Sequence, residues 1–149
     1  MRIYADTSFL VELLYPGARQ HASTRKFYLS QPNAEWITSD WSQFETINAI
    51  RQLCMQNPGI KTELAESLRR LFKHWHRHSN FTHADTNSAE AISEAQETSA
   101  AHGTKLRMRS ADALHVALLE QIEHDLFVTR DKDQFALAMK RAFNAQLLP

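Results

Sequence analysis

Two periods of hydrophobic and polar positions succeed one another along the chain, and the switches between them mark its elements. Met1–Ala5 is a short apolar run that reads as a buried strand; Phe9–Leu14 keeps helical spacing until Pro16-Gly17 stops it. His21–Leu29 predicts a second, amphipathic helix, Gln31-Pro32-Asn33 a turn, and Glu35–Thr38 a second strand. Asp40 with Gln43 three residues on has the spacing of a capping box, so a helix is expected over Trp41–Met55, closed by Pro58-Gly59. Leu64, Leu68, Leu71, Phe72 and Trp75 form the apolar stripe of a helix over Lys61–His78, with Arg70, Lys73, His74 and Arg77 opposite. A third strand is expected over Asn80–His83, and Asn87-x-x-Glu90 opens a helix that His102-Gly103 stops. Ser110 reads as the N-cap of a helix with Ala113, Val116, Ala117 and Leu119 on one face, ending near Ile122. Leu126–Val128 is a compact buried strand, residues 132–142 a last helix, and Ala145–Leu148 a final strand.

Strands that alternate with helices predict a three-layer α/β/α sandwich, with a mostly parallel central sheet of about five strands. The 149 residues suffice for one domain with a real core, and no internal repeat or linker divides residues 1–149. No apolar run reaches the ~18 residues of a membrane span. The start, MRIYADTS, enters a strand at once, without the charged and apolar regions of a signal peptide. The single cysteine, Cys54, excludes an internal disulfide and a cysteine-rich zinc site, and a cytoplasmic protein is expected. Formal net charge is zero, so attraction to nucleic acid must come from local patches. Arg70-Lys73-Arg77 and Lys105-Arg107-Arg109 are the two candidates; each also reads as a solvated face.

Acids stand at the places where an α/β sheet binds ligands. Asp6 and Asp131 each follow a strand's carboxyl end, where ligands bind in open sheets, and Asp112 lies in the first turn of a helix. Glu45 is one turn into the helix after the second strand, with Asn48 on its face and Trp41 and Ala49 beside it, so something cationic is expected to meet it. Taken singly, Asp112 complements a helix dipole, Asp131 starts a helix, and Asp85 caps one. Together, four carboxylates with no Arg or Lys partner nearby would repel one another and raise their pKa values, and a divalent cation resolves that repulsion. All-oxygen ligation favours Mg²⁺ or Mn²⁺ over zinc, and an ion so held activates water and offsets charge on a phosphodiester. His115, one turn after Asp112, reads as a packed histidine, with a bond to an acid or to substrate as its alternative. His74, His76 and His78 alternate, and are not expected to share a face as His-x-x-x-His zinc ligands do.

Four stretches, IYADTSFLVELL, SDWSQFETINAIR, SADALHVALLE and LFVTRDKDQFALA, resemble in order and spacing the PIN domain, and most of all the VapC-type toxin ribonucleases of bacterial toxin–antitoxin pairs. The resemblance covers nearly the whole chain. It implies a metal-dependent endoribonuclease with a five-stranded parallel sheet, often dimeric and inhibited by a cognate antitoxin. It assigns Asp6, Glu45, Asp112 and Asp131 to the family's acidic quartet. Asp6 and Asp112 would ligate directly, Glu45 and Asp131 directly or through water, with Thr7, Ser8 and Thr129 as supporting hydroxyls. One departure concerns the fourth acid: the family often has an acid three residues before Phe, whereas Asp131 and Asp133 stand four and two before Phe135. Asp131 is preferred because it follows the strand directly. Trp36, Trp41, Phe72 and Trp75 suggest apolar surface beyond the needs of one sheet, and hence a homodimer, an antitoxin groove, or both. Among rivals, a haloacid-dehalogenase-type phosphohydrolase needs Asp-x-Asp, but position 8 is Ser, and a receiver domain needs a further acid pair and a late lysine. A non-catalytic or regulatory PIN-like binding protein is the alternative.

Overall fold

The computed structural model describes residues 1–57, 59, 62–78 and 81–149. Pro58, Lys61 and Asn80, assigned above to a helix stop, a helix start and a strand start, lie outside the described residues. The elements run β1 (Arg2–Ala5), α1 (Thr7–Leu14), α2 (His21–Leu29), β2 (Glu35–Ser39), α3 (Asp40–Gln56), α4 (Thr62–His78), β3 (Phe81–Ala84), α5 (Ser88–His102), α6 (Ser110–Leu119), β4 (Leu126–Thr129), α7 (Lys132–Lys140) and β5 (Ala145–Leu147).

The strands form one parallel sheet in the order β3-β2-β1-β4-β5. Successive side chains enter opposite cores. Ile3 and Ala5 of β1, Trp36 of β2 and Val128 of β4 pack with Phe9 and Leu10 of α1, Ile50 of α3, and Leu68 and Phe72 of α4. Tyr4, Ile37 and Phe127 pack on the other side with Ala91 of α5, Val116 and Leu119 of α6, and Leu137 of α7. Burial on both faces explains why these strands read as apolar runs rather than alternations. The result is the three-layer α/β/α sandwich that the pattern predicts.

Connectivity places the site. The chain moves outward from β1 to β2 and β3, then returns to the far side of β1 as β4. The reversal opens a crevice beyond the carboxyl ends of β1 and β4, the position where open α/β sheets bind ligands. Asp6 follows β1 directly, and Arg130 and Asp131 follow β4.

Several local expectations are corrected. Ser39, not Asp40, caps α3: its Oγ accepts the Ser42 N–H at 3.2 Å, and Ser42 Oγ accepts the Ser39 N–H at 2.9 Å. Ser39 is fully buried at the strand end, where a small hydroxyl closes the box without burying a charge. Ser110 is the first residue of α6 rather than its cap. Asn87, not Asp85, caps α5, its Oδ1 accepting from the Ala89 and Glu90 N–H groups. The four aromatic side chains read as spare surface belong to the cores: Trp36 and Phe72 are buried, and Trp75 and Trp41 pack against the two clusters. Exposed large apolar side chains include instead Phe44, Met55 and Ile92. His74 and His78 do share a face, their ring centroids 4.6 Å apart, because residues four apart on a helix are neighbours. His76 turns to the sheet, its Nδ1 donating to the Phe72 carbonyl at 3.0 Å and its Nε2 meeting Thr38 Oγ1 at 2.8 Å.

Candidate active site

Asp6 is the N-cap of α1, and its position between β1 and that helix buries it completely. Its Oδ1 accepts the Phe9 N–H at 2.8 Å, its Oδ2 accepts from Thr129 Oγ1 at 2.8 Å, and Ser8 Oγ lies within 2.9 Å of both oxygens. Ser8 Oγ also accepts the Arg130 N–H, and Thr129 Oγ1 the Asp131 N–H, each at 2.9 Å. One acid thus ties the end of β1 to the end of β4. Burial pushes the Asp6 carboxyl above the ordinary carboxylate range, and nearby His115 with the hydrogen bonds counters only part of that.

Glu45 reaches the same place from α3. Its Oε2 accepts from Thr7 Oγ1 at 2.8 Å and contacts His115 Nε2 at 2.5 Å. His115 is fully buried, with Nδ1 3.5 Å from Tyr4 Oη, which itself meets Ser39 Oγ at 2.9 Å. Both sequence readings of His115 therefore hold at once: it is packed, and it bonds an acid. Partial burial raises the Glu45 carboxyl, but the bonds from His115 and Thr7 outweigh this and hold it below the usual value. Mutual repulsion between the acids would have moved it the other way, so that expectation fails for Glu45.

Asp112 is 2% exposed and closes the start of α6, its Oδ2 accepting the Arg109 N–H at 2.8 Å. The Arg109 side chain then bridges two acids, with Nε 3.4 Å from Asp112 Oδ2 and Nη2 2.9 Å from Asp131 Oδ2. The expectation of no Arg or Lys near the carboxylates is overturned by this residue, whose own pKa is raised first by Asp112 and then by Asp131. Asp131 caps α7 through Oδ1, which accepts the Asp133 and Gln134 N–H groups at 2.8 and 3.1 Å, leaving Oδ2 for Arg109. Gln134 Nε2 lies 3.4 Å from Asp112 Oδ1.

These groups line one cleft of about 530 Å³, in which Asp6, Glu45, Asp112 and Asp131 meet with Thr7, Ser8, Glu12, Arg109, Arg130 and Gln134 among their neighbours. Asp133 is not part of that lining. Residues 3–140 match the PIN domain family. The chain belongs to that family. VapC20 from Mycobacterium tuberculosis has a similar structure at 20% identity and a TM-score of 0.66, covering 90% of this chain and 93% of its own. VapBC2 from Rickettsia felis, solved with a promoter DNA fragment, is similar at 14% identity and a TM-score of 0.62 over the full length of both chains. VapBC-1 from nontypeable Haemophilus influenzae gives 15% identity and 0.62, over 99% of this chain and 98% of its own. At such identities the likeness is one of fold. No curated protein matches the chain.

The donors of this PIN cleft suit a hard cation. They are carboxylate oxygens, and Gln134, which also lines the cleft, has a buried Oε1 without a hydrogen-bond partner among the described residues. Among the described residues, however, no three His, Cys, Asp or Glu side chains stand grouped to hold a metal ion, and Arg109 engages two of the four acids. Gln134, Glu12 and Arg130 escaped the sequence reading as cleft residues, and Arg109, read there as part of a basic patch, escaped it as the partner of these acids. The three-residue spacings Arg109–Asp112 and Asp131–Gln134 were the available signals for two of them. Glu12 and Arg130 carried none.

Proposed function

We propose that this PIN domain is an endoribonuclease using Mg²⁺ or Mn²⁺ to hydrolyse RNA phosphodiester bonds, and that it is the toxin of a toxin–antitoxin pair. The convergence of Asp6, Glu45, Asp112 and Asp131 on one cleft at the reversal of strand order carries the reading. Asp6 and Asp112, the two buried acids, would hold the ion, with Glu45 and Asp131 acting directly or through water. The ion supplies Lewis acidity and an activated water to such chemistry. Ser8 and Thr129 orient Asp6, while Thr7 and His115 fix Glu45 Oε2 and keep that carboxylate ionised. No side-chain nucleophile is required, so Cys54→Ser is expected to cut as wild type does.

The toxin half of the reading draws on fold neighbours: VapC20 is a sarcin–ricin loop cleaving toxin, and other neighbours are toxin–antitoxin complexes. An antitoxin and a second copy of the chain are the partners this implies. Coexpression with a small reading frame next to the gene, where one is encoded, tests the first, and sedimentation tests the second; no copurifying partner and a monomer at high concentration would count against them. The non-catalytic alternative draws support from one observation, the Arg109 bridge that already neutralises part of the acid cluster. Cleavage of mixed cellular RNA decides between them. Activity that requires Mg²⁺ or Mn²⁺, stops with chelator and is lost in Asp6→Asn supports the nuclease. A folded wild type inert with either ion sinks it.

A further inference from the structure

We propose that Arg109 is a resident counter-ion of the cleft that a divalent cation displaces, and that its freed guanidinium then takes a phosphate of the RNA chain. The inference rests on the metal-nuclease reading above. Its basis is the pairing of one residue with two acids that arrive from different elements, Asp112 on α6 and Asp131 at the start of α7. Asp112 Oδ2 carries both the backbone N–H and Nε of Arg109, and Asp131 Oδ2 carries Nη2. A cation ligated by those oxygens would compete with the guanidinium for the same lone pairs and be repelled by its charge.

The balance of strengths makes Arg109 displaceable rather than locked. Its side chain is 72% exposed, against 2% for Asp112 and 21% for Asp131. Ion pairs open to solvent on one side are weak and salt-screened, whereas a doubly charged ion among buried carboxylates interacts more strongly. The backbone N–H bond to Asp112 does not depend on the side chain, so the guanidinium can leave while the start of α6 stays closed. Arg109 lines the cleft, and exposed Lys105 and Arg107 precede it by four and two residues in sequence. A planar guanidinium binds phosphate through two parallel N–H bonds, and contacts of this type position a nucleic-acid backbone without reading its sequence.

The first test uses Mn²⁺ alone, titrated by calorimetry into wild type, Arg109→Gln and Arg109→Lys, with melting curves to establish folding. Removing the competitor should tighten Mn²⁺ binding by roughly two- to tenfold, the scale of two part-exposed ion pairs, with Arg109→Lys between because it cannot bridge both acids. Equal or weaker binding by Arg109→Gln overturns the inference and leaves the nuclease reading intact. Absence of binding in all three proteins overturns both. The second test follows a labelled, nuclease-resistant 2′-O-methyl phosphorothioate oligonucleotide by anisotropy. Mn²⁺ should strengthen its binding to wild type, and Arg109→Gln should lose that gain. A gain of equal size in Arg109→Gln rejects the phosphate-binding half.

Discussion

Asp131 and Asp112 each do structural work with one oxygen and electrostatic work with another contact, and substitutions separate the two. If bare repulsion governed the acids, Asp112→Asn would stabilise the metal-free protein. Because Arg109 bridges Asp112 and Asp131, we expect the reverse: a loss of about 0.5–1.5 kcal/mol in urea denaturation, from a charged hydrogen bond replaced by a neutral one. The variant should fold, show a smaller rise in Tm with Mn²⁺ than wild type, and fail to cut RNA. Cleavage at the wild-type rate by folded Asp112→Asn would refute the mechanism. A second residue-scale prediction concerns pH. Burial, opposed by the Phe72 carbonyl bond, holds the His76 imidazole below its ordinary value. In the unfolded chain it titrates near ~6.5, so below that pH the unfolded state takes up more protons. The contribution of His76 is therefore complete above this value and is lost as pH falls through it towards the folded pKa. Urea midpoints from pH 7 down to 5 should decline less in His76→Gln than in wild type; identical slopes would reject the assignment.

At the scale of elements, the capping box of α3 carries a test against its neighbour in sequence. Ser39→Ala removes the acceptor for the Ser42 N–H and the shorter of two contacts of the buried Tyr4 hydroxyl, which keeps His115 Nδ1 at 3.5 Å. A lost cap costs about 1 kcal/mol and a lost buried hydrogen bond about 0.5–1.5 kcal/mol, so a total of about 2 kcal/mol is expected. Asp40→Ala, one residue on and exposed, should change stability by less than about 0.5 kcal/mol. Similar losses in the two variants would mean that the cap is misassigned. The box also matters to the site, because α3 delivers Glu45 and Tyr4 contacts His115. Three of the cleft's four acids are thus positioned by helix ends, since Asp6 caps α1, Asp112 closes the start of α6 and Asp131 caps α7, while Glu45 comes from the face of α3.

For the whole molecule, the sheet's reversal between β1 and β4 gathers carboxylates that come from positions 6 to 131 of the chain. A ligand that binds only the folded state raises its stability by mass action, so Mg²⁺ or Mn²⁺ should raise Tm in a concentration-dependent manner that chelator reverses. A flat Tm across millimolar Mn²⁺ would contradict a metal site. The two cores should respond differently from the cleft. Trp36 stacks on Phe9 at 4.9 Å and is fully enclosed, so Trp36→Ala should cost about 3–5 kcal/mol with or without metal.

The elements of this fold and the four acids were legible in the sequence because both depend on local rules. Runs such as Leu126–Val128, periods such as Leu64-Leu68-Leu71, and an acid directly after a strand declare themselves within a few residues. The PIN stretches added the likeness that tied Asp6, Glu45, Asp112 and Asp131 into one set. Strand order was not local, and it alone decided that β1 and β4 lie side by side with their carboxyl ends in one crevice. The fate of the aromatics was likewise tertiary: Trp36 and Phe72 looked like spare surface until sheet and helices enclosed them. So was the charge balance. Arg109 stands only three residues from Asp112, but Asp131 comes to it across 22 residues of sequence. His115 and Glu45 are 70 apart. Pairings at that range depend on how helices pack across the sheet, which no window of sequence contains.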